Sequence, residues 1–557
     1  MHYPIPFSAI ASRLALGALC LSSFAFSARA AAVYWDLDPA EGLGGTGTWE
    51  AAGAANWNLS STGAGALQAW ANGDSANFDG SGVVTVASGV STTGINFRTG
   101  ASSYNLSGAA INFTTASFGS MIGTNSGTSA IVTISNDLIL ADAGPTAGNQ
   151  YNFGAQGAAN ITLSGNFSIT GATAGTNTVL FNLYGGSSFT FAGSTTGASR
   201  IAFSVGVSGQ NGTTTTLSGS NAPIAATVIN GGTLVLDHNS AAGTQGITLA
   251  NGSTSAANTA NLMIGAGRSV NNAITVTSNS ADTNSTDVRQ IGGNFTTGTA
   301  SYTGAISVGA QKQALGLQVT ATDAGRVNFT NTISGAGAIT KVGTGTVSFS
   351  RPGPNGNTYT GGTTIAAGTF LANGVNSTGT GAVVVNGGAT LGGSGALGNA
   401  TTGAVTAQAG AFLAPGDGGA GTLTFNGALD VSGLASGTGG LLFDLGATSD
   451  QIVLSAGTLN IGAGILNFDD FNFTTLTGFD VGSYTLIATS TSIVGTLGSA
   501  LTGTVGGLNG VLSMVGDDIV LTVTSIPEPS TYAALFGVVA LGGAAWRRRA
   551  GLRSRSV

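Results

Sequence analysis

Gly335-Ala-Gly-Ala-Ile-Thr-Lys-Val-Gly-Thr-Gly-Thr-Val-Ser-Phe-Ser350, taken up again by Asn357-Thr-Tyr-Thr-Gly-Gly-Thr-Thr-Ile-Ala-Ala-Gly-Thr-Phe-Leu-Ala-Asn-Gly374, decides the fold. Its apolar residues arrive in short bursts alternating with Thr and Ser, the period of two that buries one face of a strand and solvates the other. Gly and Asn interrupt the bursts where sharp corners are needed. Such a strand–turn–strand unit cannot bury its apolar face alone, whereas stacked units share an interior of Val, Ile, Leu and Phe. Similar strands occur at Val83-Val84-Thr85-Val86, Ile131-Val132-Thr133-Ile134 and Thr233-Leu234-Val235-Leu236. Many short strands suit a sandwich, a barrel or a solenoid, and internal repetition favours the solenoid. The expected fold is all-β, a right-handed parallel β-helix, with a sandwich series as the alternative. Rungs of about 20–25 residues would give roughly 20 rungs and a rod of about 100 Å.

The quoted stretch resembles the autotransporter-associated β-strand repeat of passenger domains. The likeness lies in the Lys341 turn, the Tyr359-Thr360-Gly361-Gly362-Thr363 core and Ala367-Gly368-Thr369, where the next strand begins. It departs at Arg351 to Gly356, an inserted loop that lengthens one corner. A degraded copy spans Leu217 to Leu234. Leu413 to Phe425, Leu441 to Gly446 and Asp450 to Val453 are similar to the closing rungs of such passengers. The amphipathic strands of an outer-membrane translocator are not found, so the resemblance implies a passenger-like body exported by other proteins.

Both ends carry handling signals. Residues 1–30 read as a secretory signal peptide, with Arg13, an apolar run from Leu14 to Phe26, and Ala28 and Ala30 at the signal-peptidase site. At the other end come Pro527-Glu528-Pro529, an uncharged run from Tyr532 to Trp546, and then Arg547, Arg548 and Arg549. The prolines expose an extended segment, and the arginines read as a stop-transfer cluster. This order resembles the PEP-CTERM sorting signal, with Pro527, Glu528 and Pro529 as its namesake. The resemblance implies recognition and removal by a membrane-embedded exosortase, an inner-membrane intermediate held by a short C-terminal transmembrane helix, and delivery to the cell surface or extracellular matrix of a Gram-negative bacterium. Signal peptidase and the general secretion machinery are the further partners.

The chain divides into residues 1–30, a Trp-containing β region 31–215, repeats 216–430, C-terminal rungs 431–525 and the sorting tail 526–557. It has 93 glycines among 557 residues and only 7 % charged residues, with 42 % hydrophobic. Collagen lacks its period here, and simple disorder would need more charge. From Ala31 to Ser525 there are 8 basic and 21 acidic residues, and no Lys or Arg falls between Pro352 and Trp546. Such a surface does not suit nucleic acid. The single cysteine, Cys20, lies within the signal peptide, so the mature chain has no thiol chemistry.

Four tryptophans, Trp35, Trp49, Trp57 and Trp70, crowd the start of the mature chain. One reading is an N-terminal cap that seals the first rung. The other is a glycan site, with Trp49, Trp57 and Trp70 stacking on sugars and Asp36, Asp38 and Glu41 accepting hydroxyl bonds. No catalytic residues, cofactor or metal ligands are expected. A Ser-His-Asp triad would rest on His238 beside Asp237, which reads better as a turn. Asp469-Asp470 and Asp517-Asp518 are adjacent on the chain and so diverge on a strand. The expected function is a non-enzymatic surface or matrix solenoid acting in adhesion or an exopolysaccharide matrix. The alternative is a β-helix that binds or degrades polysaccharide.

Overall fold

The computed structural model describes residues 30–553, apart from 39, 41, 115–119, 142–149, 171–175, 197–199, 208, 222–223, 250–257, 278–287, 311–316, 399–403, 435–438 and 527–528. Strands make up 51 % and helix 5 %, so the all-β expectation holds. Most strands pair in parallel with their counterparts one coil on, and they fall into three faces of a β-solenoid. The face here numbered 2 is a ladder of 18 strands from Gly47–Trp49 to Ile493–Leu497. Face 1 is a 14-stranded sheet as far as Ile333–Ser334 and resumes in a seven-stranded one from Ala396–Leu397. Face 3 runs as five strands to Thr195–Thr196 and as nine from Ser269–Val270. Parallel pairing sets the sandwich aside, since its sheets are antiparallel.

Alternation in the sequence becomes columns in the interior. Val132, Ile161, Phe189 and Thr215 pair in succession, as do Ile134, Leu163, Phe191 and Leu217. All are buried, whereas Ile131, one residue out of phase, is exposed. Eighteen face 2 strands at ~4.8 Å make a rod of about 80 Å, shorter than expected. The reason is coil length, since Phe153 pairs with Phe181, 28 residues on, and the surplus sits in corners. The ladder also crosses residues 215 and 430 without a break, so the expected body segments are stretches of one stack.

The deciding stretch supplies strands Ile339–Val342, Thr346–Phe349, Thr363–Ile365 and Thr369–Ala372. Gly361 passes so close to the preceding coil that a Cβ would stand 2.3 Å from the Ala338 nitrogen. Gly368 turns with φ +64°, a conformation that disfavours side chains. The inserted loop is tied by Arg351 donating to the Gly356 carbonyl at 3.2 Å.

Where a face lacks a strand, a buried asparagine continues the ladder. On face 3 the Asn221 amide donates to Ala241 O at 2.9 Å and its carbonyl accepts from Thr195 N at 3.2 Å. Where face 1 lapses, Asn357 accepts from Ile333 N and donates to Ser377 O, both at 2.8 Å. An amide side chain carries a donor and an acceptor, like the peptide it replaces.

The ends abandon the parallel rule. Ala32–Trp35 pairs antiparallel with Trp57–Asn58, which pairs with Leu67–Gln68. At the far end Gly482–Thr489, Asp518–Thr524, Leu508–Val515 and Thr502–Val505 form an antiparallel cap. A helix, Pro529–Arg553, follows.

That helix corrects one expectation. Among the described residues no helix is long and apolar enough to cross a membrane. The uncharged run from Tyr532 to Trp546 covers only about 22 Å at 1.5 Å per residue, against a hydrocarbon core of ~30 Å. Arg547 then ends it.

Rings of Tyr302, Phe329, Phe349 and Phe370 stack through consecutive coils at centroid distances of 5.2, 5.3 and 4.8 Å. Phe349→Ala would open a cavity between two neighbours and cost about 3–5 kcal/mol. Hydrogen exchange should show lost protection in the coils around Phe349, with the N-terminal coils unchanged.

Candidate functional site

The tail stands clear of the solenoid. Leu535, Phe536, Val538, Val539, Leu541 and Trp546 are exposed, the last at 74 %. Nothing lies within 4 Å of a Cβ placed on Gly537, Gly542 or Gly543, so the helix has room on every glycine face. Arg547, Arg548 and Arg549 are also exposed. Pro529 opens the helix, while Pro527 and Glu528 lie outside the described residues. At the other end Ala28 lies outside them too, and Ala30 is exposed.

The tryptophans take the place of a cap. Trp49, Trp57 and Trp70, the candidate glycan contacts, are 0–2 % exposed and leave no ring face open to a sugar. Trp57 packs on Trp35, Trp49 and Trp70 at 5.1, 5.3 and 4.7 Å, with Phe78 beneath at 5.8 Å. Trp35 Nε1 donates to Gly45 O at 2.9 Å and Trp70 Nε1 to Ser91 O at 3.2 Å. Asp36 is equally committed, accepting from the Asn58 amide at 3.0 Å and from Asp38 N at 3.1 Å. Glu41 lies outside the described residues.

The histidine and the acids Asp237, Asp470 and Asp518 have structural partners. His238 Nδ1 accepts from Ser240 N at 3.1 Å, so that nitrogen does not donate to a carboxylate as it would in a Ser-His-Asp triad. Asp237 pairs instead with Arg268 at 3.0 Å. Asp470 accepts from Asn467 N at 2.8 Å, and Asp518 accepts from Thr489 N at 3.0 Å. Among the described residues no three His, Cys, Asp or Glu side chains come together as a metal site.

One concavity of about 350 Å³ lies on face 3, and the sequence did not point to it. Leu371, Gly392, Ala414 and Leu442 line it, with Thr369 and Thr390 beside them. Gly392 and Ala414 are small, and the Pro415–Gly419 segment lies along the depression. Asp417 in that segment makes a two-pronged pair with Arg326, 2.7 and 2.8 Å, and accepts from Asn373 at 2.8 Å. The Arg326 guanidinium holds the Asp417 carboxyl below the usual carboxylate range. Asp450 accepts from Gly421 N at 2.7 Å and Asp444 N at 2.8 Å. Burial nonetheless pushes its carboxyl up to about 6. No lining residue is cationic, so the concavity does not suit an anion.

Of these places the exposed tail is the one that a known family accounts for. Residues 525–549 match the PEP-CTERM protein-sorting motif. The motif marks exosortase-dependent export and cell-surface sorting in Gram-negative bacteria. No family match carries the autotransporter-repeat resemblance. No curated protein and no solved structure matches the chain.

Inside the solenoid, the repeat's Lys341 does something its sequence did not reveal. It is fully buried, and its Nζ donates to the carbonyls of Val342, Gly343 and Ala367 at 3.0, 2.8 and 2.9 Å. It thereby ties one coil's turn to the next. Burial pulls its ammonium down to about 8. The unfolded lysine keeps its proton to about 10.4, so between pH 8 and 10.4 the unfolded chain binds more protons and stability rises with pH. Urea midpoints should climb over that window in the native chain. Lys341→Met should flatten the climb, and an unchanged slope in that variant would assign it to other groups.

Proposed function

We propose that this chain is an exported, non-enzymatic β-solenoid, released from its tail by exosortase and displayed at the cell surface or in the extracellular matrix. The sorting motif on an unpacked C-terminal helix carries this reading, and a stiff rod of about 80 Å supplies reach. An inner-membrane stage, at which exosortase takes the tail, belongs to it. So do prior removal of the signal peptide at Ala28–Ala30 by signal peptidase, passage through the general secretion machinery, and right-handed coiling, the near-universal sense for parallel crossovers. The repeat stretch then acts as passenger-like spacer, in adhesion or in an exopolysaccharide matrix.

Intact mass of the chain from its producer, with and without the exosortase, tests this. The enzyme should yield a product that starts at Ala31 and ends near Pro527. Pro527→Ala with Pro529→Ala should leave the tail in place. Processing also removes Trp546, the one exposed tryptophan among five, so emission should shift to the blue and resist iodide quenching. An intact Arg-tailed chain under both conditions would overturn the reading.

Polysaccharide binding is the second reading, and the face 3 concavity favours it through an apolar floor, threonine hydroxyls and no cation. In gels containing the producer's own polysaccharide the native chain should be retarded. Leu442→Lys should restore free migration, and equal migration in gels with and without polysaccharide would remove this reading while leaving display intact.

A further inference from the structure

The two ends of face 2 are finished differently. At the N-terminal end its outermost strand, Gly47–Trp49, is obstructed. The Asn56 amide donates to Thr48 O at 3.0 Å, and Ala52 N donates to Trp70 O at 3.1 Å, drawing the Trp57–Trp70 segment over that edge. At the C-terminal end the last strand, Ile493–Leu497, pairs on its inner side with Leu459–Leu466. Among the described residues no backbone group bonds to its outer side. A strand's outward N–H and C=O groups are a template for another strand, and proteins usually blunt such an edge with Lys, Pro or a bulge. Ile493-Val494-Gly495-Thr496-Leu497 has neither charge nor proline. The extra residues of this pairing lie in the inner strand, between Asn460 and Gly462 and between Ala463 and Leu466.

The side chains around this edge match its backbone. Among the described residues outside the tail helix twelve large apolar side chains are exposed, and seven of them lie between Ile465 and Ile526. Val494 is 52 % exposed and Ile465 45 %. Ile465 leans over Gly462, the register partner of Gly495, so the two apolar groups flank one stretch of edge. The five exposed apolar residues nearer the N-terminus are spread from Leu59 to Val375. Scattered apolar residues are ordinary on a surface, whereas apolar groups set beside unpaired backbone, as Val494 and Ile465 are, mark an interface.

The partner follows from which edges each molecule presents. Head-to-tail growth along face 2 would need the N-terminal edge, and Asn56 and the tryptophan segment occupy it. The edge that every copy presents is the C-terminal one, and two identical edges satisfy each other antiparallel about a two-fold axis. We propose that two copies of this chain join end to end through their Ile493–Leu497 strands, continuing the face 2 sheet from one rod into the other.

The test uses the chain recovered from its producer, with Cys20→Ser so that no native thiol remains whether or not the signal peptide has been removed. Light scattering over a range of concentrations should show a monomer–dimer equilibrium. Val494→Lys places a charge on each facing edge and should weaken it at least tenfold, with circular dichroism and thermal unfolding unchanged. Val494→Cys should crosslink to itself with a short bis-maleimide, whereas Val83→Cys, also exposed but on an N-terminal coil, should not. A monomer at every concentration, a dimer indifferent to Val494→Lys, or equal crosslinking at both positions would each overturn the pairing. Flotation of monomeric chain on lipid vesicles, lost in Val494→Lys, would also overturn it and assign the edge to a membrane surface.

Discussion

A parallel solenoid cannot close on itself. Each strand satisfies its backbone only through the coils before and after it, and each coil's apolar floor is covered only by its neighbours. Everything else in this chain answers that constraint. The interior columns from Val132 to Thr215 and from Ile134 to Leu217 are the regular answer. Asn221 and Asn357 are the local one, each inserting a peptide-like amide where a face lacks a strand. The ends need separate solutions, and they differ. Tryptophan and antiparallel pairing finish one end, while an antiparallel cap covers only part of the other.

The regular part was legible in the sequence because its signals are local. Thr–Val alternation fixes which residues face inward, and Gly361 and Gly368 stand where backbone approach or positive φ excludes side chains. Coil length was less legible. Residues added at a corner leave the alternation intact, so a count from one compact repeat overestimates the number of coils. The tail was legible as a sorting signal for the opposite reason, since its order of prolines, apolar run and arginines requires no folded context.

What escaped the sequence depends on contacts between distant residues. Arg326 and Asp417 are 91 residues apart, and nothing local pairs them. Lys341 looks like a turn residue in one dimension, but stacking places its ammonium among three carbonyls. The tryptophans were ambiguous because aromatic side chains serve buried caps and exposed sugar platforms alike. Their burial places all four within the cap. The open edge at Ile493–Leu497 is likewise an absence of pairing among the described residues, which shows only after the other strands have been matched.

The strand next to the tail has a mechanical consequence. Asp518–Thr524 lies between Gly482–Thr489 and Leu508–Val515, antiparallel to both, with five register pairs on one side and seven on the other. A pull transmitted from Ile526 acts along that strand, so both rows of hydrogen bonds are sheared together. The coils behind it are joined by bonds that run along the rod, and a load there peels them one by one. A coil of 28 residues such as Phe153 to Phe181 would lengthen from ~5 Å to about 95 Å when drawn out. Tension applied at the C-terminal end would therefore meet a firm grip at that strand and a long, stepwise compliance in the shaft, the behaviour of a shock absorber.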